Sequence, residues 1–258
     1  MLSTRKTVVP TTILVTAAAV LTGCGTAHLS SPTAAPPPSM EQIGTPVDQA
    51  LPSAILELPL TDASGKTVRL ADFAGRTVML SDNMTLCQET CPMDTATLVQ
   101  TARDEDATAD RDRVVYLSVT VDPVRDTPVQ LAAYKKLFTP PPANWKTLTG
   151  SPAVVDRLWT FLGVWRQRNP IGPGASPKNW RTGQPLTYDI AHSDEVFFID
   201  AHGHERFLLE GPPAAPKGSI PPAIYRFMSD TGHKNATSPP TSAWTEAQAR
   251  KVLGSLVG

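Results

Sequence analysis

Cys87 and Cys91 are the residues of this chain with the clearest capacity for chemistry. They are separated by Gln88-Glu89-Thr90 and followed at once by Pro92. Two thiols at that separation can hold one soft metal ion or close a disulfide. Thioredoxin-type pairs have two intervening residues. The third one here widens the loop and leaves both sulfurs able to face one ion, while a flexible loop can still bring them within bonding distance. A thiolate pair selects Cu(I), zinc or iron–sulfur chemistry and leaves a coordination position that imidazole fills well. Four histidines lie in the body of the chain. His202 and His204 flank Gly203 in a turn, and His233 sits among loop-forming residues. His192 stands just before an apolar run, where a loop residue can be brought over a site. Pattern alone leaves His192 as either a ligand or a structural histidine.

The third cysteine, Cys24, belongs to another segment. Residues 1–23 have a basic start at Arg5 and Lys6 and a mostly apolar run from Val8 to Leu21, the pattern of an export signal. Leu21-Thr22-Gly23-Cys24 resembles the bacterial lipobox, which implies cleavage before Cys24, lipid attachment there, and a protein tethered to the cell membrane on its extracytoplasmic face. The odd count of 3 cysteines then resolves into one lipidated residue and one working pair. Residues 24–50 are rich in Ser, Thr, Ala and Pro and read as an extended spacer. With Lys+Arg 23 against Asp+Glu 24 and no charged block, the chain offers nucleic acid nothing to grip.

Residues 51–258 read as one folded domain. Ile55 to Leu58 and Thr67 to Leu70 flank turn residues and predict an N-terminal β-hairpin. Thr77 to Leu80 predicts a short buried strand that feeds the cysteine loop, and Pro92 opens a helix to about Ala102. A helix N-terminus there favours thiolates. Arg113 to Val121 predicts a strand buried on both faces. Helices are expected after the caps Thr127 and Ser151, with a strand at Trp145 to Leu148 between them. Residues 166–187 read as a long Gly/Pro loop, followed by an inserted hairpin over Glu195 to Leu209. A proline-rich connection from Pro212 leads to a terminal helix with a Thr245/Gln248 capping box. The alternation predicts an α/β sandwich with a mixed sheet.

Asp122, Arg125 and Asp126 either orient the cysteine loop or form a capped turn with a local ion pair. Met84 and Met93 read as core fillers, and Trp145, Trp159 and Trp165 as core.

Thr85 to Pro92, Val121 to Pro128, Leu148-Thr149-Gly150 and His192-Ser193 running into Phe197 to Asp200 resemble, in order and spacing, the SCO/SenC family. The resemblance covers about Leu51 to Gly211. It implies a thioredoxin-like fold and a copper site, Cu(I) or Cu(II), made by Cys87, Cys91 and His192. It also implies a role in delivering copper to, or maintaining the thiols of, the copper-accepting subunit of cytochrome c oxidase. Three positions depart from the family pattern. Gln88 stands where Pro is usual, Met84 where an aromatic is usual, and Ala191 where an acidic residue commonly precedes the histidine, with Asp189 and Asp194 as nearby replacements. Apart from copper binding, the pair can serve a thiol–disulfide oxidoreductase, Cys87 attacking and Cys91 resolving. A peroxidase of the peroxiredoxin type fits poorly, because Thr85 stands two residues before Cys87 and that motif requires three.

Overall fold

The computed structural model describes residues 39–257, apart from 109 and 173–175. The export signal, the lipobox with Cys24 and most of the expected spacer lie outside the described residues.

The described chain opens with α1 (Met40–Ile43), β1 (Thr45–Ala50), α2 (Ser53–Leu56), β2 (Leu60–Asp62) and β3 (Thr67–Val68). Next come β4 (Thr77–Asn83), α3 (Cys91–Asp106), β5 (Val114–Thr120), α4 (Pro128–Leu137), β6 (Trp145–Thr149) and α5 (Pro152–Leu162). The last part holds β7 (Arg166–Pro170), β8 (Tyr188–His192), β9 (Glu195–Ile199), β10 (His204–Glu210), α6 (Pro222–Tyr225), α7 (Asp230–Thr237) and α8 (Glu246–Leu256). Eight strands form one mixed sheet in the order β1-β10-β9-β4-β5-β6-β2-β3, and β7 pairs with β8 in a separate ribbon. β4, β5 and β6 run parallel, whereas β9 pairs antiparallel with β4.

The sheet is covered on both faces, as the continuous apolar run of β5 requires. Alternate residues Val115, Leu117 and Val119 join Leu80, Leu158 and Trp159 in one core, while Val114 and Tyr116 join Met79, Val99, Val252 and Leu253 in the other. Thr127 and Ser151 cap α4 and α5 through the amides of Gln130 and Val154, each with Pro at the first turn, and Thr245 and Gln248 form the capping box of α8. The chain thus has the mixed α/β, thioredoxin-like fold, with the inserted hairpin as β9 and β10.

Several boundaries differ from the sequence reading. Residues 40–50 are not spacer: β1 pairs with β10 at the sheet edge, because strand pairing depends on backbone groups that composition does not report. Ile55 to Leu58 is not a strand, since Pro52 precedes a single helical turn and the hairpin partner of β3 is β2. Arg166–Pro170 is a polar strand inside the expected loop, and His233 lies in α7. Trp165 is 55% exposed rather than core. Among the described residues, no helix is long and apolar enough to cross a membrane.

Candidate metal and thiol centre

The site forms where β4 ends, α3 begins and β8 comes alongside. β4 delivers the chain into the loop Met84–Thr90; Cys91 is the first residue of α3, and His192 is the last of β8. One ligand atom from each of Cys87, Cys91 and His192 lies within 4.8 Å of the other two. His192 Nε2 is 3.3 Å from Cys91 Sγ. Both cysteines are free thiols; Cys91 is fully buried and Cys87 only 8% exposed. The three residues named from the sequence therefore converge, although His192 is remote from the pair along the chain.

The electrostatics divide the two thiols. A hydrogen bond from Cys91 is the largest influence on Cys87 and holds its pKa well below the ordinary thiol value; burial opposes this, and His192 and the Glu89 amide add to it. Burial pushes Cys91 well up, and its bond to the Cys87 sulfur adds to the shift. A helix N-terminus favours thiolates in general, yet the thiol on the helix is the protonated one here, because desolvation outweighs the dipole. For His192, burial favours the neutral ring, but Asp82 and Cys87 prevail and hold its pKa well above the usual imidazole value. These shifts favour a Cys87 thiolate beside a His192 imidazolium, with Cys91 as a thiol that donates to Cys87.

Asp82 was not among the residues singled out from the sequence. Its carboxylate lies 2.6 Å from His192 Nδ1, which also lies 2.8 Å from the Ser193 carbonyl, and Asp82 Oδ1 accepts the Glu195 amide at 2.9 Å. These acceptors place a proton on Nδ1 and aim Nε2 at the sulfurs. Neither suggested replacement for the missing acid at Ala191 takes that role. Asp189 accepts its neighbour's amide, and Asp194 accepts the Thr90 hydroxyl at 2.8 Å. Burial raises Asp194 to about 7 and pushes the buried Asp94 up strongly as well. The available signal for Asp82 was a lone carboxylate in a strand with every residue buried.

The turn Asp122–Asp126 does both things expected of it. Arg125 pairs with Asp122, donates to the Tyr188 carbonyl at 2.6 Å, stacks 3.8 Å from the Tyr188 ring centre and lies 3.4 Å from Met84 Sδ. Asp126, fully buried, accepts from the Thr85 amide at 3.1 Å, the Thr85 hydroxyl and the Thr120 hydroxyl at 2.6 Å. The turn therefore ties the loop carrying Cys87 to the strand carrying His192. Met84 and Met93 are buried as core fillers. His202, His204 and His233 lie away from the centre, His202 in the β9–β10 turn.

Comparison with known proteins supports this architecture. A mitochondrial SCO2 homologue from Bos taurus is 34% identical over 57% of this chain and 50% of its own length, so the chain spans about half the length of such relatives. A protein from Stutzerimonas stutzeri described as a putative copper-binding protein is 26% identical over 62% of this chain and 70% of its own. The crystal structure of a SCO1/SenC family lipoprotein from Bacillus anthracis superposes with a TM-score of 0.52 at 23% identity, covering 71% of this chain and 97% of that one, and shares the fold. The family model described as SCO1/SenC matches residues 53–215, which span Cys87, Cys91 and His192, and the chain belongs to that family.

Proposed function

We propose that this protein is a copper-binding assembly factor, with Cys87, Cys91 and His192 as the ligands of its cargo ion. The observation that carries this reading is the convergence of two sulfurs and one imidazole nitrogen within 4.8 Å. That donor set suits Cu(I), with the imidazole extending it to Cu(II). Copper is cargo here, to be taken up and passed on, and the acceptor implied by the family resemblance is the dinuclear copper centre of cytochrome c oxidase. Uptake displaces the Cys91 proton and the Nε2 proton of His192, and Asp82 keeps the ring oriented as that happens. The lipid on Cys24 would hold the domain at the extracytoplasmic face of the membrane.

A second reading, maintenance of a partner's thiols, draws support from the inequality of the pair. A thiolate at Cys87 beside a protonated thiol at Cys91 suits attack by the first sulfur and resolution by the second. Anaerobic copper titration of the reduced full-length protein separates the two readings. The metal reading expects one equivalent bound, a sulfur-to-copper charge-transfer band absent in Cys87→Ser and Cys91→Ser, and weakened binding in His192→Ala. Efficient disulfide reduction without measurable copper binding would leave only the thiol reading.

A further inference from the structure

The family match ends at residue 215, yet the cysteine loop is also held from beyond that point. Gln88 Nε2 donates to the Phe227 carbonyl at 2.7 Å. The Gln88 carbonyl accepts from the Ser229 amide at 3.0 Å and the Ser229 hydroxyl at 3.4 Å. Ser229 also caps α7, its hydroxyl accepting from the Gly232 amide at 3.1 Å. Gly232 packs so closely that a Cβ there would lie 2.2 Å from the Gln88 oxygen. Met228, within the same segment, is 5% exposed. His233 Nε2 lies 2.7 Å from the Tyr225 carbonyl and joins α7 back to α6. Position 88 is one of the three departures from the family pattern, and proline there would have no amide to offer Phe227. The unusual side chain and the segment that receives it meet at the first residue of the loop between the two cysteines.

We propose that Phe227–Gly232 is a clamp that positions the Cys87–Cys91 loop in its open, dithiol form and opposes its closure to a disulfide. The proposal rests on the reading of these cysteines as working thiols, whichever of copper or electrons they carry. Closure brings the sulfurs to about 2.05 Å, and residues 88–90 are the only chain between them. The loop must tighten at Gln88, where the clamp's bonds to both side chain and carbonyl are made to the open form. A contact made to one of two states shifts the equilibrium toward that state. Oxidation removes two electrons from the pair together with the one proton it holds, that of Cys91. An oxidised low-molecular-weight disulfide such as glutathione disulfide accepts the electrons: the Cys87 thiolate displaces one glutathione thiolate, Cys91 then displaces the second as the Cys87–Cys91 bond forms, and the two leaving sulfurs take up the Cys91 proton and one from water.

The test equilibrates the metal-free full-length protein against mixtures of reduced and oxidised glutathione and counts free thiols by alkylation and mass. Gly232→Ala is the informative variant, since alanine favours α7 as a helix while its Cβ expels the Gln88 carbonyl. It is expected to favour the disulfide about tenfold, a midpoint ~30 mV more negative, with faster hydrogen exchange at the Ser229 amide. Gln88→Ala removes one bond of three and is expected to move the midpoint less, in the same direction. Equal midpoints in all three proteins, or a shift toward the dithiol, would overturn the clamp, and so would a Ser229 amide that stays protected in Gly232→Ala. A shifted midpoint in a protein that binds no copper would leave the clamp standing and remove only the metal reading.

Discussion

The loop that carries Cys87 is held on two sides by different means. On its N-terminal side, Thr85 is bonded to the buried carboxylate of Asp126, to Gln130 and, through its carbonyl, to Trp180. Arg125 and Tyr188 extend the same network to the strand that bears His192. On its C-terminal side, Gln88 is held by neutral groups of Phe227 and Ser229, which are partly exposed. The first support is dry, charged and shared with the core, so losing one member strands several buried partners. The second is neutral and local, so its loss should redistribute loop geometry without unfolding the domain.

The largest effect should follow from removing Asp126. Asp126→Ala leaves the Thr85 amide, the Thr85 hydroxyl and the Thr120 hydroxyl without their acceptor, and a loss of about 3 kcal/mol is expected in urea denaturation. Asp126 also provides a pH signature. Burial raises its pKa to about 6 despite bonds from Thr120 and Thr85. Because the folded value lies above the unfolded one, the proton stabilises the folded state. That contribution is complete below about pH 4 and is lost as pH rises through about 6. Relative to Asp126→Asn, the wild-type protein should lose about 2–3 kcal/mol between those limits and little beyond. A pH-independent difference between the two proteins would mean that Asp126 binds no extra proton on folding in this range, and the raised pKa assigned to its burial would be wrong.

Next in size is Asp82→Asn, which keeps the shape at His192 and removes the charge. Copper affinity should fall by roughly tenfold to a hundredfold, the usual cost of losing a carboxylate behind a ligating histidine. In a His192→Ala background the same substitution should cost almost nothing. An equal loss in both backgrounds would show that Asp82 acts through the strand and not through the imidazole. Gln88→Ala should change global stability by less than about 1 kcal/mol, as expected for one partly exposed hydrogen bond. A loss as large as that for Asp126→Ala would erase the distinction between the two supports.

How much of this was legible in the sequence follows from the range of the forces involved. Apolar period and caps are local, so β4, β5, α4, α5 and α8 could be read from residues such as Thr127, Ser151 and Val114 to Val119. The three converging residues could be named because the family resemblance supplied a long-range constraint that periodicity lacks. β1 and β7 escaped because their pairing depends on edges made by β10 and β8, far along the chain. Asp82 escaped because a carboxylate in a strand acquires meaning only when His192 is brought beside it. The docking of the segment between Pro212 and α8 escaped for a related reason. Its prolines suggest a connection, and the contact with Gln88 depends on a backbone approach at Gly232 that composition does not encode.

The smallest expected effect concerns the thiols, and it tests whether the supported loop keeps its two sulfurs in different protonation states. Cys87, whose pKa the Cys91 hydrogen bond and His192 lower, should already be a thiolate at neutral pH, whereas burial keeps Cys91 protonated. An ordinary thiol with a pKa near 8.5 loses almost tenfold in alkylation rate for each unit of pH below that value. Cys87 should instead alkylate at a nearly constant rate from pH 9 down to 7, slowly because it is only 8% exposed, and Cys91 should lag throughout. Cys91→Ala removes the donor that holds Cys87 down, so the rate at pH 7 should drop severalfold while the rate at pH 9 changes little. Mass mapping of iodoacetamide adducts reads both sites at once. Modification of Cys91 first would reverse the assignment of attacking and resolving sulfurs. It would also show that the loop opens on the Gln88 side more readily than its bonds to Phe227 and Ser229 allow.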